Sequence, residues 1–180
     1  IHLSTDLLFL ARLDQRRLPW RPQALDISDL LDAVVEQIQP LADAKGLLLE
    51  TTMEPGLVIQ GDPDHLIRLF LNLLDNAIKY TPPGGQITLR AGKEGTGVWV
   101  ALSDTGPGIP AEHLPHVFER FYRVEKARSR ESGGAGLGLA IAYEIARWHG
   151  GTIEAQSEPG HGTIFTVHLP FRPPEAHVVE

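Results

Sequence analysis

The chain has 180 residues, room for one globular domain with a real core and a short appendage. Sixteen basic against 23 acidic residues leave a formal charge of −7, which does not suit a nucleic-acid surface, and the lack of cysteine excludes a disulfide scaffold or a thiolate zinc site. No apolar run approaches the roughly 20 residues of a membrane span, and no signal peptide is visible.

Residues 1–18 read as a helix, because Leu3, Leu7, Leu8, Leu10, Ala11 and Leu13 recur at three- and four-residue spacing until Pro19-Trp20-Arg21-Pro22 breaks it. The pattern is already under way at Ile1, so the chain is expected to be a piece of something longer. Such an apolar helix needs a partner. Either it packs on the domain or it is half of a helical hairpin whose other half is missing; the second is favoured. Asp26 then caps a helix running to about Lys45 that buries Ile27, Leu30, Leu31, Val34, Ile38 and Leu41, with Pro40 loosening it and Gly46 stopping it.

Strand-like runs follow at 47–53 and 57–60. Asp62-Pro63 opens the next helix in cap-then-proline order, and Thr81-Pro82-Pro83-Gly84-Gly85 ends it. Residues 86–91 and 98–103 read as a hairpin, 105–135 as a long segment of poor periodicity, and 137–149 as a helix closed by Gly150-Gly151. A last hairpin, 152–157 with 163–169, precedes a ragged tail. This order predicts an α+β fold of two layers, with helices on one face of a mixed, mostly antiparallel sheet. Residues 1–22 then form a hairpin-helix end plus linker, 23–172 the domain and 173–180 the tail.

Four constellations carry chemistry. At about 100° per residue, Leu66, Leu69, Phe70, Leu73 and Ala77 form one stripe of the 63–80 helix, and Asn72, Asn76 and Lys79 a narrow polar strip beside it. Buried carboxamides are costly without partners, and a metal ion with phosphate oxygens would supply them; a solvated helix edge is the alternative. Asp104, at a strand end before Gly106 and Gly108, can accept a hydrogen bond from a flat heterocycle with an exocyclic amine, with Ile109 against the ring; an ordinary Asp-Gly turn is the alternative. Gly133-Gly134-Ala135-Gly136-Leu137-Gly138-Leu139 runs into a helix start as a phosphate cradle does, yet has neither the Walker lysine nor the dinucleotide fingerprint. Gly160-His161-Gly162-Thr163 is the weakest of the four, since a hairpin turn accounts for it.

In this order the set resembles the ATP-binding domain of sensor histidine kinases, in the superfamily shared with gyrase, heat-shock chaperone and mismatch-repair ATPases. The resemblance covers about residues 26–170. Residues 72–80 resemble the N box, 104–110 the first glycine box and 134–139 the second, with 160–163 as the last. Val117-Phe118-Glu119-Arg120-Phe121-Tyr122-Arg123 resembles the phenylalanine box.

The resemblance implies a Bergerat-type ATP-binding fold with ATP and Mg²⁺ as ligands. Asn76 would ligate the ion, with Asn72 assisting through it or its waters, and Lys79 would meet phosphate oxygens; these three carry the catalytic roles. Tyr80 would lie against base or ribose. Asp104 would accept the adenine amino group, with Gly106 and Gly108 letting the base enter, Ile109 packing on it, and Thr163 supporting Asp104 directly or through water. Gly134, Gly136, Leu137 and Gly138 would hold the phosphates at the helix start, and Arg123 would neutralise phosphate charge.

Residues 111–135 would form a mobile lid, charged through Arg123, Glu125, Lys126, Arg128, Arg130 and Glu131 and docked by Phe118 and Phe121. Hydrolytic members of the superfamily carry a glutamate four residues before the metal-binding asparagine. Here Asn72 stands there, without basicity, which implies phosphoryl transfer to a protein nucleophile rather than efficient hydrolysis. None of the eight histidines sits before an acidic residue on a hairpin helix, so the phosphoacceptor is expected on an upstream hairpin domain of the same protein. The expected partners are that domain, in a homodimeric full-length parent, and a response regulator, with no nucleic acid and no membrane contact by this piece. The parent would be membrane-anchored with this domain in the cytoplasm. A serine kinase of the anti-sigma type and an inert nucleotide-sensing module are the competing readings.

Overall fold

Three helices lie on one face of a five-stranded sheet, and the core fills the space between the two layers. The computed structural model describes residues 3–124 and 134–173. In chain order these form α1 (Leu3–Asp14), β1 (Gln23–Asp26), α2 (Ile27–Ala44), β2 (Leu48–Met53), β3 (Val58–Gly61), α3 (Pro63–Tyr80), β4 (Gln86–Glu94), β5 (Gly97–Asp104), α4 (Gly138–Trp148), β6 (Thr152–Ser157) and β7 (Thr163–Pro170).

The sheet runs β2-β4-β5-β7-β6. Only β2 and β4 pair in parallel, and every other neighbour is antiparallel. Alternation sets the inner face: Ile87, Leu89 and Ala91 of β4, Val98, Val100 and Leu102 of β5, and Phe165, Val167 and Leu169 of β7 are all buried. The helices answer with Leu31, Val34 and Ile38 of α2, Leu66 to Ile78 of α3 and Ile141 to Ala146 of α4. The α+β layering expected from the sequence is the one observed.

Two details differ from the expectation. Leu41 is 54% exposed, and Ala42 takes its place in the core. Ala42 follows Ile38 by four residues, which keeps it on the buried stripe, while Leu41 has turned away from it. Residues 23–26, unassigned in the sequence reading, form β1, which pairs antiparallel with β3 in a separate two-stranded ribbon. Four residues running straight into a helix cap give no usable period.

Helix α1 lays one face on the domain through Phe9, Leu10 and Leu13 while Leu3, Leu7 and Leu8 stay exposed. Its ends are tied down by charge. Asp6 pairs with Arg68 at 2.6 Å, and Asp14 takes a two-pronged bond from Arg120 at 2.7 and 2.8 Å. Past α1, Trp20 packs on His149 at 4.8 Å, and the Arg21 N–H donates to Asp62 at 2.8 Å.

Candidate functional site

The site is built around α3. Asp62 caps its start by accepting from the N–H groups of Asp64 and His65, and Pro63 fits the first turn because its missing N–H would have no partner there. The apolar stripe expected from the sequence is buried throughout. Asn72, Asn76 and Lys79 lie half-buried beside it, and Tyr80 is exposed. Within the strip, Asn72 Nδ2 is buried with no hydrogen-bond partner among the described residues. A carboxamide left in that state is one that a ligand would complete.

The first glycine loop packs on the end of α3. Asp104, 7% exposed at the end of β5, accepts from the Gly106 N–H at 2.8 Å and from the backbone N–H of Thr163 on the paired strand. Burial pushes its carboxyl pKa up, and the two backbone donors pull partly against that. Gly106 sits close enough to α3 that a Cβ on it would lie 3.2 Å from Tyr80 O. Thr163 thus touches Asp104 through its backbone, while its hydroxyl bonds Ser157 Oγ at 2.8 Å. Gly108, at φ +76°, has a packing reason to be glycine, because a Cβ there would run into the backbone of Glu158 and Pro159.

Ser157 was not singled out from the sequence. Its hydroxyl donates to Gly162 O and accepts from the Ile109 N–H at 2.7 Å, joining the loop after Asp104 to the last glycine turn. A serine at a strand end carries no pattern that would have marked it.

On the other side of α3 lies the second glycine loop. A Cβ on Gly134 would collide with Lys79 Nζ, and one on Gly138 would lie 3.8 Å from Asn72 Oδ1. Leu137 stands at the N-cap of α4 with its side chain buried in the core, so α4 begins with no side-chain cap on its N–H groups. Uncapped first-turn N–H groups at the positive end of a helix suit an anion. Gly136, at φ +74°, accepts from the Phe121 N–H at 2.9 Å, and a Cβ would press on Phe121 and Tyr122 at 2.9 to 3.1 Å. Lys79 has its pKa lowered, first by burial and then by the neighbouring cation of Arg123, with Asp75 opposing. Two cations held against each other are costly until an anion joins them.

Ahead of that loop, Phe118 stacks on Tyr143 at 5.4 Å and meets Phe165 edge-on at 6.0 Å, and so docks the segment as expected. Phe121 does not. Its ring is 57% exposed and its backbone is left-handed at φ +64°, so it is the N–H bond to Gly136 that holds it. Glu125, Lys126, Arg128, Arg130, Glu131 and Gly133 lie outside the described residues, as does the proposed motion of the lid.

The histidine kinase-, DNA gyrase B- and HSP90-like ATPase family matches residues 61–173, the span from the end of β3 through the final hairpin. The chain belongs to this family. Within it the sensor histidine kinases are its relatives. The sensor-like histidine kinase SenX3 of Mycolicibacterium smegmatis is 38% identical over 174 residues, covering 96% of this chain and 45% of that protein. Among solved structures, the mycobacterial sensor histidine kinase MprB superposes with a TM-score of 0.74 at 32% identity, over 86% of this chain and all of that one. Full-length ShkA in complex with AMPPNP gives 0.82 at 32% identity, over 97% of this chain and 36% of that one. The ATPase-family chain spans less than half the length of the curated relatives it matches.

Proposed function

We propose that this chain is the ATP-binding kinase domain of a two-component sensor histidine kinase. It would transfer the terminal phosphoryl group of ATP to a histidine on an upstream hairpin domain, for relay to a response-regulator aspartate. The single observation that carries the reading is the arrangement around the end of α3. Asp104 and Gly106 border its last turn on one side, and Gly134 and Gly138 face Lys79 and Asn72 on the other. A buried acceptor for an amino group and a set of phosphate donors thus share one helix end.

Each residue then has a role. Asp104, held as an acceptor by two backbone donors, takes the adenine amino group; Gly106 lets the ring approach, while Ile109 and Tyr80 bound it. Thr163 steadies Asp104 through its N–H. Lys79 and Arg123 neutralise phosphate oxygens, and the N–H groups from Gly134 through Gly136, Leu137 and Gly138 hold them at the start of α4. Bound Mg²⁺–ATP supplies an activated phosphoryl group whose charge the ion offsets. Asn76 would hold that ion by its carboxamide oxygen, and Asn72 by the same group directly or through water. The described residues contain no group of three or more His, Asp or Glu able to hold a metal. Mg²⁺ keeps waters and takes much of its coordination from substrate phosphates. Asn72 cannot accept a proton from water, which favours transfer over hydrolysis.

No helix among the described residues is long and apolar enough to cross a membrane. The kinship to sensor kinases is what supports placing the domain on the cytoplasmic side of a membrane-anchored, homodimeric parent. The test is radiolabelled ATP with a separately made hairpin domain carrying its histidine. Acid-labile label on the hairpin, and none on this chain alone, is the expected result. ATP binding without any transfer would leave a sensing module, and acid-stable label on a serine would indicate the anti-sigma type of kinase.

A further inference from the structure

The last turn of α3 carries Lys79 and Tyr80, and a residue of another helix holds it in place. The final carbonyls of a helix have no donor within it. In α3 two of them, Ile78 O and Lys79 O, accept from the ammonium of Lys45 at 2.6 and 2.8 Å. Lys45 stands at the C-cap of α2, so its side chain bridges the ends of two helices. The loops that follow these helices are stitched together as well. The Gly84 N–H donates to Gly46 O at 2.9 Å, and the Leu48 N–H to Gly85 O at 3.0 Å. Of these contacts only the Lys45 ammonium reaches α3 itself, and it meets the negative end of the helix dipole.

We infer that Lys45 is a positioning residue for the nucleotide site, fixing the last turn of α3 so that the Lys79 ammonium stays against the second glycine loop. The inference rests on Lys79 as a phosphate-binding cation. Lys45 bonds the carbonyl of Lys79 itself, so a loosened turn would move the Lys79 backbone first. The core stripe from Leu66 to Leu73, earlier in the helix, keeps its own packing.

The test measures ATP affinity with Mg²⁺ on the full chain for wild type, Lys45→Met, Lys45→Arg, Lys79→Met and the double variant Lys45→Met/Lys79→Met, with thermal melts alongside. Methionine keeps the stem and removes the ammonium; arginine keeps the charge and the donors. Lys45→Met should weaken ATP binding about tenfold, the scale of one charge-assisted bond, and Lys45→Arg should recover most of it. The double variant should bind no more weakly than Lys79→Met alone, because Lys45 acts through Lys79. Losses that multiply, or a Lys45→Met chain that binds ATP as wild type does, overturn the inference. If Lys45→Met shows no cooperative melt, Lys45→Gln replaces it under the same expectations. A wild-type chain that does not bind ATP overturns the nucleotide reading and this inference with it, a result distinct from any failure confined to the Lys45 variants.

Discussion

Asp104 is a carboxylate placed where burial disfavours its charge, and that cost is what makes it useful. Its folded pKa is raised, so the stability it contributes is present at pH below the ordinary carboxylate value and is lost as pH rises through the raised one. At neutral pH the charge is therefore a burden on the fold. Asp104→Asn removes the burden but leaves one acceptor oxygen for two backbone donors, so the melt should stay within about 1 kcal/mol of wild type. Binding follows the opposite direction. Nucleotide affinity should fall on acidification through the raised pKa, at a pH above that of an ordinary aspartate, and Asp104→Asn should lack this step; calorimetric titration across acid pH checks both. Residues of this kind were legible as types in sequence, a carboxylate before glycines. The partners were not, because the Thr163 N–H comes from a strand 59 positions later and only the register of β5 with β7 brings it there.

At the scale of the element, α3 buries one face in the core and, on the proposed reading, offers the adjacent face to Mg²⁺–ATP. Leu69 is fully buried, and Leu69→Ala should cost about 2–5 kcal/mol in denaturant unfolding. Asn76 lies on the half-buried strip, and Asn76→Ala should leave stability within about 0.5 kcal/mol while removing the Mg²⁺ dependence of ATP binding. Equal stability losses in the two variants would contradict this division of faces. Eighteen periodic residues between a capping aspartate and a proline-glycine stop made α3 readable to the residue. The four-residue β1 offered no period, and Leu41 was assigned inward because composition cannot separate the last turn of a stripe from the surface beside it. Phe121 misled for a related reason: aromatic character predicts burial, but a left-handed backbone tied to Gly136 turned the ring outward.

Over the whole molecule, the fold gathers onto one helix end groups that lie far apart in sequence, from Lys45 to Thr163. That convergence was visible in sequence only as an order of motifs. His149 is ruled out as a phosphoryl acceptor, because it is buried with Nε2 accepting from the Asp62 N–H and Nδ1 bonded to Ile145 O, which leaves no ring nitrogen for the group. The central claim, that Asp104 selects adenine for a phosphate site on α3, is tested most directly by titrating ATP and GTP, with Mg²⁺, into wild type and Asp104→Ala. Guanine presents a carbonyl where adenine presents an amine, and so sets acceptor against acceptor. Wild type should prefer ATP by about tenfold or more, and Asp104→Ala should lose most of its ATP affinity. Undiminished ATP binding by Asp104→Ala, or equal binding of GTP by wild type, would contradict it.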